Sequence, residues 1–141
     1  MKSGDGKVSL LKEVPLFWAC SDKELRKIAR IADEVDRPAG AVLIKEGEAG
    51  RELFVIADGS VKITRGKRKI ATVGRGNVIG ELAVLDHGPR SATVTTETPV
   101  KLFVIDARSF SALIEDAPTV GYKIAKTLAE RLRSAENSPT H

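Results

Sequence analysis

The chain has one cysteine, Cys20, and two histidines, His87 and His141. A lone thiol cannot close an intrachain disulfide, and one thiol with two distant imidazoles falls short of a structural zinc set. No apolar run approaches the ~18 residues a membrane helix needs. The opening Met1-Lys2-Ser3-Gly4-Asp5-Gly6 leads into no signal-peptide apolar core, so a cytoplasmic location and no membrane span are expected.

What is present describes one folded unit. Over 141 residues, 42% are hydrophobic and 30% charged, which suits a soluble domain and excludes the composition of disorder. The net charge of +4 modestly favours anionic partners such as phosphate.

Ser21-Asp22-Lys23-Glu24 has the form of a capping box, so a helix is predicted to begin at Asp22. Leu25, Ile28, Ala29, Ala32 and Val35 give it an apolar stripe, with Phe17 and Trp18 expected to pack against the same surface. From Asp36 to Ile105 short apolar runs alternate with turn residues, the texture of a β-roll or sandwich. Asp58-Gly59 reads as a two-residue type I′ hairpin. Asp106 can cap a short helix carrying Phe110, Leu113 and Ile114. Pro118 then separates it from a final helix of about Thr119 to Ala135, in which Val120, Ile124, Leu128 and Leu132 recur every four residues.

The segment that breaks the strand pattern is Gly80-Glu81-Leu82-Ala83-Val84-Leu85, followed by Asp86-His87-Gly88-Pro89 and Arg90-Ser91-Ala92-Thr93. Gly80 permits a sharp turn, and a helical turn after it offers free N–H groups to an anion. Arg90 adds a permanent charge with a planar fork of donors, Ser91 a neutral hydroxyl, and Ala92 a small wall. Glu81 would repel a phosphate, so its carboxylate suits a sugar hydroxyl nearby. His87 falls in the loop and reads as solvent-exposed. The basic stretch Arg65, Lys67, Arg68 and Lys69 reads as a solvated hairpin tip.

These residues closely resemble the phosphate-binding cassette of cyclic-nucleotide-binding domains: G-E-(aliphatic)-A-(aliphatic), a short loop, then R-(S/T/A)-A. The order of Gly40, Gly47, Gly59, Gly76 and Gly80, the leading helix and the two trailing helices is similar to that family as well, from about Leu10 to Leu132. The resemblance implies a mainly β fold with flanking helices: a jelly-roll-like β-roll with one N-terminal and two C-terminal helices. It implies that Glu81 binds the ribose 2′-hydroxyl, that Arg90 binds the exocyclic phosphate oxygens, and that Ser91 with the Ala83 and Ala92 backbone holds the rest of the phosphate. Gly80 and Leu82 would shape the pocket, and Thr93 is the last of the expected ligand-binding residues. Ile79 stands where the family often has an aromatic, which would alter base packing. Ile79, Leu128, Arg131 and Leu132 are the candidates for base or lid contacts.

The expected organisation is a flexible segment over 1–9, the ligand domain over 10–135 with its cassette at 80–93 and hinge and lid helices at about 107–135, and a disordered tail over 136–141. The implied function is a regulatory sensor that is not an enzyme and uses no cofactor or metal. Its ligand would be cAMP, with cGMP the alternative because Ser91 stands where threonine goes with cGMP preference. Occupancy would pass through the C-terminal helices to an effector domain or protein. The rivals are the ligand-binding part of a transcription regulator, a degenerate scaffold, and a cupin-type metal enzyme. The first would need a helix-turn-helix, and no such pair of short helices follows the last helix pattern, so no direct nucleic-acid binding is expected. The third would need clustered histidines.

Overall fold

The computed structural model describes residues 3–136. Two four-stranded antiparallel sheets form the body. Their strands are β1 (Asp33–Arg37), β2 (Val42–Ile44), β3 (Glu52–Asp58), β4 (Val61–Arg65), β5 (Arg68–Val73), β6 (Val78–Ile79), β7 (Thr93–Thr96) and β8 (Val100–Asp106), in the orders β1-β8-β3-β6 and β2-β7-β4-β5. The β-roll expected from the sequence is the fold observed.

The long apolar runs of β3 and β8 follow from burial on both faces. Leu53, Val55 and Ala57 of β3, with Phe103 and Ile105 of β8, face a helical layer. Phe54 and Ile56, with Val100 and Leu102, face the second sheet across the roll, where Ile44, Val61 and Val94 meet them. One sheet therefore belongs to two cores.

The helical layer comprises α1 (Ser3–Lys12), a 3-10 turn at Pro15–Phe17, α2 (Asp22–Arg30), α4 (Ala107–Asp116) and α5 (Pro118–Glu136), while α3 (Glu81–Asp86) lies between the strands. The capping box at Ser21 and Glu24 is formed, and Asp106 caps α4 through Ser109 N at 2.8 Å. Glu24 also crosses between helices, accepting from Thr119 Oγ1 at 2.6 Å and from Lys123 Nζ at 2.5 Å. It thus fastens α2 to α5. Among the described residues no helix is long and apolar enough to cross a membrane.

Several local expectations give way to tertiary packing. A helix occupies Ser3–Lys12 where residues 1–9 are read as flexible, because Leu10 and Leu11 are drawn into the core with Val8 beside them. Val35 belongs to β1 and not to the α2 stripe, since the helix stops at Arg30. Trp18 is exposed although Phe17 beside it is fully buried. Asp58-Gly59 does not close a hairpin: β3 and β4 lie in different sheets, and Gly59 alone of the two has positive φ. The chain changes sheets there. The paired hairpin is β4–β5, turning at Gly66-Lys67. Of the expected tail, only Glu136 lies within the described residues, where it ends α5.

Candidate functional site

Between β6, α3 and the second sheet lies a cavity of about 280 Å³. Its apolar wall comes from Ile44, Ile63, Ile79 and Val94, and its polar wall from Gly80, Glu81, Arg90 and Ser91. A few polar groups converging on an apolar concavity is the usual make-up of a small-molecule site.

Gly80 makes the turn from β6 into α3. Its φ is +83°, in the left-handed region, and a Cβ there would fall on Arg90 Nη1 and lie 3.0 Å from the Glu52 carbonyl oxygen. Glycine is required for both reasons. The helix that follows has no side-chain cap at Gly80. His87 ends α3 with φ +59° and is exposed, as expected of it.

Arg90 is only 8% exposed. Its Nη2 donates to the Glu52 carbonyl at 2.6 Å and its Nη1 to the Gly80 carbonyl at 3.1 Å. Its backbone is held too: Arg90 N donates to Glu48 O at 2.8 Å, and Gly47 N donates to Arg90 O at 2.9 Å. Burial lowers the Arg90 pKa, while the charge of Glu52 acts the other way. A guanidinium nevertheless stays charged at any physiological pH. The site therefore holds an immobilised cation with carbonyl dipoles as its hydrogen-bond partners in place of a carboxylate.

Glu81 is the complement. Its Oε2 is the one buried side-chain nitrogen or oxygen without a hydrogen-bond partner among the described residues. Burial pushes its pKa up, opposed by its own backbone N–H and by the charge of Arg131 on α5. A buried acceptor left open costs about 1–3 kcal/mol. A ligand hydroxyl donating to it would remove that cost.

Ile79, Gly80, Glu81, Ala83, Arg90, Ser91 and Ala92 all line the cavity. Thr93 stands just outside, its hydroxyl accepting from Glu46 N at 3.0 Å. Ser91 is exposed, and its carbonyl accepts from Arg65 Nε at 3.1 Å. Leu128 is half-buried against the helical core, whereas Arg131 and Leu132 are exposed, and none of these three lines the cavity. The Leu82 side chain is outside the described set. Among the described residues no group of His, Cys, Asp or Glu could hold a metal ion.

Sequence reasoning missed the loop opposite the cassette. Ala49 bridges Pro89, and a Cβ on Gly50 would fall on that of Ala83 and lie 3.2 Å from Arg90 Nε. Gly50 lets this loop close on the cassette, and the glycine itself was the available signal. The carbonyls of Glu48 and Glu52 leave no such mark. Val84 was missed as well: it is fully turned into the helical core, in one cluster with Phe110, Leu113 and Ile124.

The family model described as "Cyclic nucleotide-binding domain" matches residues 34–117. The chain is 31% identical over 134 residues to a CRP-like cAMP-activated global transcriptional regulator of Mycobacterium tuberculosis, covering 92% of this chain and 60% of that protein. It is 36% identical over 122 residues to a cyclic nucleotide-gated potassium channel of Rhizobium etli, covering 86% of this chain and 34% of the channel. Among solved structures, the N-terminal domain of a transcriptional regulator from Streptomyces coelicolor A3(2) superposes with a TM-score of 0.83 at 32% identity, covering 92% of this chain and 96% of that one. The chain thus spans 60% and 34% of the two curated relatives named.

Proposed function

The chain belongs to the family of cyclic nucleotide-binding domains, and from that premise we propose that it is a cAMP sensor that relays occupancy through its C-terminal helices and catalyses nothing itself. The observation that carries this reading is the convergence of Arg90 and the unpartnered Glu81 Oε2 on one cavity. An anion and a hydroxyl donor presented together by one ligand satisfy both. A cyclic nucleotide carries both, through its phosphodiester and its ribose 2′-hydroxyl.

In this reading Arg90 takes the exocyclic phosphate oxygens by charge-assisted hydrogen bonds. Glu81 accepts from the ribose hydroxyl, and the Ser91 hydroxyl with the Ala83 and Ala92 backbone completes the phosphate site. Ile44, Ile63, Val78 and Ile79 offer the base an apolar wall.

The relay runs through α3. Ligand pulls on its cavity face at Glu81 and Ala83, while Val84 and Leu85 belong to the hydrophobic core that also holds Phe110, Leu113 and Ile124 of α4 and α5. A ligand shifts such an equilibrium only by its differential affinity for the two arrangements. In this reading Arg131 of α5, whose charge already acts on Glu81, would supply a contact made only when α5 lies over the cavity. The effector would be a further domain or partner, as in relatives longer than this chain.

Competition against a fluorescent cyclic-nucleotide analogue tests the reading. Displacement by cAMP at lower concentration than by cGMP, with no analogue bound by Arg90→Ala, is the outcome expected. Equal binding of the analogue by Arg90→Ala would overturn it.

A further inference from the structure

Strand β4 extends the inward face of the roll beyond the cavity. Val61 is fully buried in the roll core, and Ile63, two residues on, forms part of the cavity wall. Arg65 is the next residue on that face, because side chains two apart on a strand share a side. The β4–β7 register pairs Ile63 with Val94 and Thr64 with Thr93, so the next step sets Arg65 level with Ala92. Arg65 thus stands one position past the wall, at the rim beside Ser91 and Ala92, and its Nε donates to the Ser91 carbonyl at 3.1 Å.

One further hydrogen bond fastens the hairpin there, and a second ties its acceptor, Glu46, to β7. Gly66 N donates to Glu46 Oε1 at 2.9 Å, and Glu46 N donates to Thr93 Oγ1 at 3.0 Å. Among the described residues no carboxylate forms a salt bridge with Arg65, and its two terminal nitrogens make no hydrogen bond. A guanidinium held by one edge at the mouth of an anion site, with its other donors open, is arranged to take a second share of the anion.

We propose that Arg65 is a second phosphate-binding arginine of this site: through Nε it fixes the Ser91 peptide, and through its terminal nitrogens it contacts the ligand's phosphate from the solvent side. The inference rests on the cyclic-nucleotide reading and assigns it a residue outside the cassette. It gives the basic hairpin a role where the sequence suggested only a solvated tip.

The test is calorimetry of cAMP and cGMP with the wild-type chain, Arg65→Gln and Arg65→Lys, each at low and high salt. Arg65→Gln is expected to weaken both nucleotides equally, by about fivefold to tenfold, because both carry the same phosphate. Its salt dependence should be shallower than that of wild type. Arg65→Lys, which keeps the charge, should recover most of the affinity with wild-type salt dependence. A hairpin buttress without ligand contact would instead leave the salt dependence unchanged and gain nothing from lysine, and that result overturns the proposal. So does wild-type affinity in Arg65→Gln. If the folded wild-type chain binds neither nucleotide, the cyclic-nucleotide reading itself falls, a result distinct from loss of the Arg65 contact alone.

Discussion

Arg90 Nη2 donates to the backbone carbonyl of Glu52 across 2.6 Å, so the cation of the cavity is held by the strand it faces before any ligand enters. Little side-chain freedom remains for a ligand to remove. That is preorganisation in the ordinary sense: the entropy of ordering the arginine is met in folding and not in binding. Glu81 stands in the opposite condition, with an acceptor buried and unanswered.

Glu81→Gln is accordingly expected to act with opposite signs on stability and on binding. Burial raises the Glu81 pKa in the fold, so between the unfolded and folded values the native state holds more protons and stability declines as pH rises. Glutamine removes that decline and leaves the ligand-free protein at least as stable at neutral pH. It also weakens the acceptor for the ribose hydroxyl, reducing cAMP affinity by about tenfold or more. Chemical denaturation at several pH values, paired with titration calorimetry, checks both signs.

Ligand affinity should carry the same proton signature. Hydroxyl donation to Glu81 favours its charged form, so binding lowers its pKa and releases a proton. Affinity then falls as pH drops through the raised ligand-free value. Calorimetry in buffers of different ionisation enthalpy measures the proton directly. No proton release below neutral pH would place the ribose elsewhere.

Gly80→Ala should lose binding and stability together. The added Cβ meets Arg90 Nη1 at a residue with φ +83°. Left-handed strain alone costs of order 1–3 kcal/mol, and the displaced guanidinium loses its aim. Urea denaturation and nucleotide titration of the variant read the two effects.

The pin between α2 and α5 predicts acid sensitivity. Lys123, then the Ser21 backbone and Thr119, hold Glu24 down at about 2 from an ordinary 4.5. Because the folded value is the lower one, its stabilisation is complete above the unfolded pKa and is lost as pH falls from about 4.5 through about 2. Glu24→Gln should cost about 2 kcal/mol at neutral pH and flatten the acid limb of the melting curve.

For the relay, cAMP should slow amide exchange across 118–136. Val84→Ala leaves Arg90 and Glu81 in place but trims α3's share of the core that it has in common with the C-terminal helices. It should bind cAMP within a few-fold of wild type while that protection diminishes. Undiminished protection would route the coupling around Val84.

The sequence carried the parts whose physics is local. The capping box at Ser21 and Glu24 and the Asp106 cap form as read, because hydrogen bonds within one turn decide them, whereas the stripe of α5 buries Val120 and Ile124 and leaves Leu132 exposed. Sheet membership is another matter. Asp58-Gly59 has hairpin residues, yet the strands on either side part company because β3 pairs with β8 and β4 with β7. Of the site, the side-chain chemistry of Glu81 and Arg90 was legible, since a charge or carboxylate announces itself. The carbonyls of Glu48 and Glu52 were not, because every residue has one and only the fold selects which. Arg65 looked like a solvated tip because its neighbour Ser91 lies 26 residues away in the chain.

The central claim is tested most directly by isothermal titration of the purified chain with cAMP and with cGMP, alongside Arg90→Ala. Saturable one-to-one binding, tighter for cAMP and abolished by Arg90→Ala in a protein that still folds, is the result predicted. No heat from either nucleotide with well-folded wild-type chain, or binding that survives the loss of Arg90, would contradict it.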